Sequence, residues 1–145
     1  MSEISYVVRQ ARVDDAEAVF SLVSDFPPEA IPDRQVFQAT FVSLDDTAGN
    51  VLFLAEGGGG TVVGYILVSY HPSFLANAPV AWVEEVMVAK SWRRTGVGKA
   101  LMTAAEEWAN RLGAAYVTLA SRRSAPFYES LGYEDAAAFF KKALR

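Results

Sequence analysis

The sequence predicts an α/β fold, in which a mixed antiparallel and parallel sheet of six to seven strands carries helices on both faces. The chain has 145 residues, of which 52% are hydrophobic and 21% charged, and this suits a single domain with its own core. Segments with the two-residue period of strands alternate with segments of helical period. Between residues 81 and 120, a strand, a long helix and a strand follow one another, as in a parallel βαβ unit. We therefore expect one domain that spans residues 1–145.

A strand and two helices open the chain. The strand is predicted at Tyr6–Arg9. The first helix begins at Asp14, because Glu17 three residues later completes a capping box, and Pro27-Pro28 ends it. A second helix begins near Asp33. Its predicted inward face consists of Val36, Phe37, Phe41 and Leu44.

Three strands joined by short loops follow, and these are expected to be antiparallel. Val51–Glu56 and Thr61–Tyr70 flank four consecutive glycines at 57–60. Glycine adopts positive φ readily, which suits the loop of a hairpin. A proline-containing loop then leads to the strand Ala81–Ala89.

Helices and strands alternate in the second half of the chain. A long helix is predicted at Gly96–Leu112, with Gly113 as the residue that ends it. Ala115–Ala120 is predicted as a buried strand, and Ser124–Gly132 as a short helix. Tyr133–Leu144 is predicted as one or two final strands. The buried face of the long helix is predicted to consist of Leu101, Ala105, Trp108 and Leu112.

Composition excludes several classes of function. Cysteine is absent and His71 is the only histidine, so the chain cannot form a disulfide, a His-Glu-x-x-His zinc site or a thiolate zinc site, and we predict no metal. No apolar run reaches the roughly 18 residues of a membrane span, and residues 1–6 lack the features of a signal peptide. The net charge of −4 does not favour nucleic acid. We therefore expect a cytoplasmic protein without membrane or nucleic-acid partners.

Charge is distributed unevenly along the chain. Residues 1–60 contain three basic and ten acidic side chains, a local charge of −7. Residues 61–145 contain ten basic and seven acidic side chains, a local charge of +3. The second half is therefore the better place for an anionic ligand, and the first half for a cationic one.

A glycine-containing loop with two arginines lies between the strand Ala81–Ala89 and the long helix. Its sequence is Arg93-Arg94-Thr95-Gly96-Val97-Gly98. The glycines permit a tight turn and the close approach of a ligand, and the first N–H groups of the helix have no partners within it. Together with the helix dipole and the arginines, these N–H groups favour a pyrophosphate. A P-loop does not fit, because Ala100 follows Lys99 where that motif has Ser or Thr.

Two motifs together resemble the GNAT superfamily of acyl-CoA-dependent N-acetyltransferases. The first is Arg-x-x-Gly-x-Gly, here Arg93–Gly98, which follows the strand segment Val86-Met87-Val88. The second is Phe127-Tyr128-Glu129-Ser130-Leu131-Gly132-Tyr133, about 30 residues further on. The resemblance extends from about Tyr6 to Leu144. It implies a GNAT-like sheet, a single N-acetyltransferase domain and acetyl-CoA as the cosubstrate.

The resemblance also implies roles for individual residues. The pantetheine arm of acetyl-CoA would pair like an extra strand with Val86-Met87-Val88, which requires that strand to splay away from Ala115–Ala120. The backbone N–H of Val86 or Met87 would polarise the thioester carbonyl, and Tyr128 would protonate the departing thiolate. The residues of the loop that would bind the pyrophosphate are Arg93, Arg94, Thr95, Gly96, Val97, Gly98 and Lys99.

The attacking amine needs a base, because an amine with a pKa near ~10.4 is mostly protonated at neutral pH. Carboxylates are the available bases, and Glu84 and Glu85 lie just before Val86 on the strand. Successive strand residues point to opposite faces, so we expect only one of them to face the acceptor directly. This alternation does not decide which, and neither does the resemblance, since family members carry a glutamate at either position.

The acceptor is expected to be a small-molecule amine rather than a protein N-terminus or lysine. His71–Phe74, Trp82–Val88 and Gly132–Leu144 are loosely similar to small bacterial GNAT enzymes, including aminoalkylphosphonate N-acetyltransferases. The charge of −7 in residues 1–60 favours a cationic amine over a phosphonate. A non-catalytic acyl-CoA-binding regulatory domain is the alternative from another class. The expected partners include a second copy of the chain, in a homodimer.

Overall fold

A computed structural model describes residues 5–25 and 31–145 of the chain. Its strands are β1 (Tyr6–Gln10), β2 (Asn50–Gly57), β3 (Val62–His71), β4 (Val80–Val88) and β5 (Val117–Leu119). They form one sheet in the order β1-β2-β3-β4-β5. The first four strands pair antiparallel with their sequence neighbours, and β5 is parallel to β4. The mixed sheet is confirmed, with five strands among the described residues rather than the six to seven predicted.

Within residues 5–25 and 31–145, four α-helices cover the two faces of the sheet, and they are α1 (Ala16–Val23), α2 (Arg34–Ser43), α3 (Val97–Arg111) and α4 (Ala125–Ser130). On one face, which we call the α1/α2 face, Val19 and Phe41 pack with Met87 of β4. On the other, the α3 face, Leu101 packs in a second cluster, and Leu131 after α4 packs against it. Helices on both faces are thus confirmed. None of the described helices is long and apolar enough to cross a membrane.

Glycines end two elements where the sequence predicts them. Gly58–Gly60 form a short turn between β2 and β3, in which Gly59 has a φ of 82° that side chains with a Cβ rarely adopt. Gly113 follows α3 with a φ of 81°, and its N–H donates to the carbonyl of Asn110. The hairpin loop and the helix end are both confirmed.

The first helix begins differently from the prediction. A single 3-10 turn, Val13–Asp15, precedes α1, and the Asp15 carboxylate accepts a hydrogen bond from the N–H of Arg12 at 2.6 Å. The predicted pair of Asp14 and Glu17 does not cap the helix. Asp15 has this position because its carboxylate is buried against the guanidinium of Arg9 on β1, a tertiary contact that the local spacing does not show. Pro27-Pro28, the predicted helix end, lies outside the described residues.

Two residues predicted to face inward are exposed. Val36 at the start of α2 is 65% exposed, because Phe37 and Phe41, four residues apart on one side of the helix, are the side chains that α2 half-buries and buries. Leu112 is 39% exposed, since it is the residue after the last turn of α3, where the chain leaves the sheet. The remaining predicted face of α3 is buried.

The end of the chain departs most from the prediction. Residues 134–145, which we call the C-terminal arm, form neither helix nor strand, so the strands predicted at Tyr133–Leu144 are wrong. The arm contacts the sheet through the Phe139 ring, which stacks on Trp82 at 6.1 Å between centroids, whereas Phe140 is 90% exposed. β5 is only three residues long, so it has few backbone groups to pair with a further strand.

Candidate active site

One edge of β4 is free over the second half of the strand. Pairing with β5 begins at Ala81 opposite Val117 and stops at Val83 opposite Leu119, yet β4 continues to Val88. Residues 84–88 therefore have no strand beside them on that side among the described residues. Backbone groups at such an edge can pair with an extended ligand, as they would with another strand.

A β-bulge lies where this free edge begins. Glu85 is opposite Leu67 of β3 and Val83 is opposite Val68, so Glu84 is an extra residue without a partner. A bulge inserts one residue and shifts the alternation of side chains beyond it. Before the bulge, Ala81 and Val83 face α3; after it, Val86 and Val88 do. Glu84 and Glu85 consequently both lie on the α1/α2 face, so the alternation expected of successive strand residues is wrong at this point.

The two glutamates differ in their surroundings. Glu84 is exposed, and its Oε2 accepts a hydrogen bond from the indole N–H of Trp82 at 2.7 Å. Glu85 is half-buried, and its Oε1 accepts a hydrogen bond from the hydroxyl of Tyr65 at 2.7 Å. Tyr65 was not predicted as a site residue. Its contact depends on the register between β3 and β4, and the sequence carries no signal for that register at single-residue precision.

The direction of the backbone distinguishes Val86 from Met87. The N–H of Ala89 donates to the carbonyl of Val63 on β3 at 2.8 Å. In an antiparallel pair, alternate residues direct their N–H and C=O to the same neighbour, so Met87 faces β3 and Val86 and Val88 face the free edge. The Val88 carbonyl accordingly accepts a hydrogen bond from Nε of Arg93 at 3.3 Å. Of the two predicted donors, Val86 directs its N–H toward the free edge. Met87 directs its N–H toward β3, and its side chain is buried on the α1/α2 face.

The loop between β4 and α3 brings the predicted phosphate-binding residues to the end of that edge. Gly96 is the N-cap residue of α3 with a φ of 91°, and Arg94 also has a positive φ, of 62°. Arg93, Arg94 and Lys99 are exposed. The other loop residues have structural contacts: the Thr95 hydroxyl donates to the carbonyl of Trp92, and Val97 is buried in the core. The loop thus presents the free N–H groups of α3 together with three cationic side chains.

Gly98 lies where α3 approaches two neighbours. A Cβ at this position would lie 3.3 Å from Cζ of Phe127 in α4 and 3.9 Å from the Val88 side chain. The absence of a side chain therefore lets the start of α3 pack closely against both α4 and the end of β4.

Tyr128 is on α4, on the α3 face of the sheet. Its ring is half-buried and contacts the rings of Phe127 and Tyr133, with centroids 5.0 and 6.1 Å away. Burial raises the pKa of the Tyr128 hydroxyl, so that it keeps its proton at neutral pH. Tyr128 and the two glutamates thus lie on opposite faces of the sheet, on either side of the free edge of β4.

Five of the ten acidic side chains in residues 1–60 form ion pairs or cap helical elements. Asp15 and Glu56 both bind Arg9, and Glu17 pairs with Arg34. Two further carboxylates cap short helical elements, and they are Asp33 and Asp45. The charge of the first half therefore does not by itself form a site for a cation, and the carboxylates next to the free edge are those of β4.

A groove of about 590 Å³ lies beside β1 rather than at the free edge of β4. It is lined by Tyr6, Val8 and Phe53 of the sheet and by the outer side of α3. It shares Gly96 and Lys99 with the phosphate-binding loop but touches none of the β4 residues.

Comparison with known proteins identifies the family of the chain. Residues 16–133 match the model of the Acetyltransferase (GNAT) family. The chain is 33% identical to an aminoglycoside N(6')-acetyltransferase type 1 of Stenotrophomonas maltophilia over 109 residues, which are 73% of this chain and 69% of that protein. It is 37% identical to a glucosamine 6-phosphate N-acetyltransferase of Trypanosoma brucei brucei over 76 residues, about half of each chain (51% and 52%).

Solved structures agree as well. A Trypanosoma brucei acetyltransferase superposes with a TM-score of 0.84 at 28% identity, over 97% of this chain and 100% of that one. The structure of AAC(6')-Iy in complex with the bisubstrate analog CoA-S-monomethyl-acetylneamine has the same fold, with a TM-score of 0.79 at 22% identity over 96% of this chain and 99% of that one. The chain therefore belongs to the GNAT family, and it is an acetyl-CoA-dependent N-acetyltransferase.

Proposed function

We propose that the protein transfers the acetyl group of acetyl-CoA to the primary amine of a small cationic molecule by direct attack. The observation that carries this proposal is the free edge of β4, which has two carboxylates on one face of the sheet and Tyr128 on the other. A thioester along that edge would have a base on the side from which the amine arrives and an acid near its sulfur.

The reaction can be written with these groups. A glutamate, Glu84 or Glu85, takes one proton from the ammonium group. The neutral nitrogen attacks the thioester carbon, and the developing oxyanion lies at the N–H of Val86. When the C–S bond breaks, Tyr128 gives its proton to the sulfur and recovers, through water, the surplus proton of the new amide nitrogen. The products are the N-acetyl amine and CoA, and the glutamate releases its proton to solvent.

The phosphates of acetyl-CoA would lie at the start of α3. Free N–H groups at a helix N-terminus bind anions, and Arg93, Arg94 and Lys99 are exposed there to add positive charge. Gly96 and Gly98 keep side chains away from the backbone at this point. The extended pantetheine arm would pair with the free groups of Val86 and Val88.

A small cationic acceptor is favoured over a phosphorylated one by the carboxylates. The relative from Stenotrophomonas maltophilia is named for acetylation of aminoglycosides, and the one from Trypanosoma brucei brucei for glucosamine 6-phosphate. Glu84 and Glu85 form no salt bridge with described residues, so they remain available to an ammonium group and would repel a phosphate.

Release of free CoA thiol tests the proposal. The purified protein is incubated with acetyl-CoA and a panel that contains diamines, aminoglycosides, glucosamine 6-phosphate and peptides with a free N-terminus or lysine. Thiol release with the cationic small amines is the expected result. Release with peptides only would assign a protein substrate instead, and acetyl-CoA binding without release for any amine would assign a regulatory binding domain.

We also propose that the protein is a homodimer joined through the C-terminal arm. The outer edge of β5 has no strand beside it in the described parts of the chain, and the arm exposes Phe140 and Leu144. An unpaired strand edge and exposed apolar side chains both favour association with a second copy. Light scattering should give the mass of a dimer, and the double substitution Phe140→Lys/Leu144→Lys should give a folded monomer. A monomeric wild type at micromolar concentration would overturn this.

A further inference from the structure

Glu85 is a half-buried carboxylate without a positive partner among the described residues. One of its oxygens accepts the hydrogen bond from Tyr65, and no lysine, arginine or histidine pairs with it within residues 5–25 and 31–145. The remaining residues, 1–4 and 26–30, contain no basic side chain. Removing a carboxylate from water is unfavourable unless a cation or hydrogen-bond donors compensate it. A cationic ligand would supply the positive charge that none of the described residues gives to Glu85.

Tyr65 is suited to hold Glu85 in one orientation. Its side chain is 1% exposed and packs in the core of the α1/α2 face, so the ring has a single position. Burial and the adjacent carboxylate raise the pKa of Tyr65, so its hydroxyl remains a hydrogen-bond donor at every pH at which the protein would work. The bond to Oε1 leaves Oε2 of Glu85 for a ligand.

Glu84 differs from Glu85 in its access to solvent, which a general base requires. A general base has to release its proton to solvent in every turnover, and Glu84 is exposed whereas Glu85 is not. Glu84 is also the extra residue of the bulge, so its backbone is not held by β3 in the way that Glu85 is. Both side chains lie on the same face, next to one another in sequence, where one acceptor molecule can reach both.

We propose that the two glutamates have different roles in the reaction. Glu85 is the fixed anion that binds the acceptor's ammonium group, and Tyr65 is the positioning residue that holds it. Glu84 is the base. The proposal rests on the proposed function. One N–H bond of the bound ammonium breaks and an O–H bond forms on Glu84, while Glu85 keeps its charge and its hydrogen bonds to the remaining N–H groups. The acceptor class that follows is an amine that arrives as a cation.

A double-mutant cycle tests the division. The variants are Tyr65→Phe, Glu85→Gln and Glu84→Gln, and the doubles combine Tyr65→Phe with each glutamate change. With an amine from the thiol-release panel and saturating acetyl-CoA, Glu85→Gln should raise the KM of the amine about tenfold with little change in kcat. Tyr65→Phe should act in the same direction, and in the double variant it should add almost nothing to Glu85→Gln. Glu84→Gln should lower kcat about 100-fold, and adding Tyr65→Phe should raise the KM of the amine as it does alone, without enlarging that kcat defect.

The matched control is Tyr70→Phe. Tyr70 is on the same strand but on the α3 face, where its ring contacts Trp108 and its hydroxyl lies 3.4 Å from the carbonyl of Leu112. Its loss should leave the KM of the amine unchanged. Multiplicative effects of Tyr65→Phe and Glu85→Gln, or a Glu85→Gln variant that loses kcat at constant KM, would overturn the proposal.

A binding measurement separates this proposal from the proposed function. Calorimetric titration of 1,4-diaminobutane into the protein without acetyl-CoA needs no turnover. Its Kd should rise about tenfold in Glu85→Gln and in Tyr65→Phe, and clearly less in Glu84→Gln, whose carboxylate is solvent-exposed. A wild type that binds the diamine but acetylates no amine contradicts the proposed function alone. A Kd that is the same in the wild type and in Glu85→Gln contradicts the positioning role alone.

Discussion

Each glutamate of the bulge makes one hydrogen bond, and the exposed one leads to a prediction about pH. Glu84→Gln should lower turnover at pH 7 about 100-fold, because the amide cannot take a proton from the ammonium group. The defect should shrink as the pH rises toward the amine pKa of ~10.4, since more of the amine is then already neutral. A rate profile from pH 6 to 10 measures this. Glu134→Gln in the C-terminal arm is the control, and a defect that is constant with pH would argue against Glu84 as the base.

The hydroxyl of Tyr128 is the second residue whose role can be isolated. Tyr128→Phe keeps the ring and its contacts with Phe127 and Tyr133, so the fold and the affinity for acetyl-CoA should be retained. Turnover should fall about 100-fold, at the low end for a general acid, because a thiolate can also leave without full protonation. Steady-state kinetics with acetyl-CoA as the varied substrate measure both quantities. Tyr116→Phe, at an exposed tyrosine before β5, is the control. Full activity of Tyr128→Phe would show that the thiolate departs without a proton from Tyr128.

At the scale of elements, an ion cluster fixes the start of α1 to the sheet. Arg9 on β1 binds both oxygens of Asp15 at 2.9 Å and Glu56 of β2 at 2.6 Å. The hydrogen bond from Arg9 is the largest cause that lowers the pKa of Asp15 in the folded protein. A lowered folded-state pKa means that this contribution to stability is present above the usual Asp value of about 3.9 and is lost as the pH falls through the folded-state pKa.

Asp15→Asn should therefore destabilise the fold by about 2 kcal/mol at neutral pH, since Arg9 loses a charged partner. The variant should also lose less stability than the wild type between about pH 4 and pH 2. Urea unfolding across that range measures both effects. Asp14→Asn, one residue earlier and exposed, is the matched control and should change neither. Equal losses for the two variants would mean that the cluster contributes no specific stability.

Which elements the sequence predicts depends on how local their signals are. The order of strands and helices from β1 to α4, the glycine turn after β2 and the end of α3 at Gly113 all follow from periods and glycines within a few residues. The bulge at Glu84, the Tyr65–Glu85 bond and the Asp15 contact depend on register between segments far apart in the chain, so no local pattern indicates them. The strands predicted in the C-terminal arm are wrong because its apolar residues have the pattern of a strand, whereas β5 has only three residues with which a further strand could pair.

At the scale of the whole molecule, the site exists because two halves of the sheet separate. The strands β1 to β4 are paired with one another, and the pairing of β3 with β4 continues to Val88. The strand β5, by contrast, pairs only with the first part of β4. The bulge at Glu84 coincides with the point of separation. One backbone irregularity thus places both carboxylates on the α1/α2 face, at the start of the edge that a pantetheine arm would occupy.

An extended ligand along that edge should stabilise the entire domain. Acetyl-CoA would pair with β4 and contact α3 and α4, elements whose side chains pack in one hydrophobic cluster. A ligand that binds only the folded state stabilises it by RT ln(1 + [L]/Kd), which is about 2.7 kcal/mol at 100 times Kd. Thermal melts with millimolar acetyl-CoA should therefore show a melting temperature raised by several degrees. ATP at the same concentration is the comparison, because it offers phosphates to the start of α3 but no pantetheine to the edge of β4. A shift that is equal for ATP and acetyl-CoA would confine binding to the phosphate loop, and no shift with acetyl-CoA would contradict the ligand position proposed along β4.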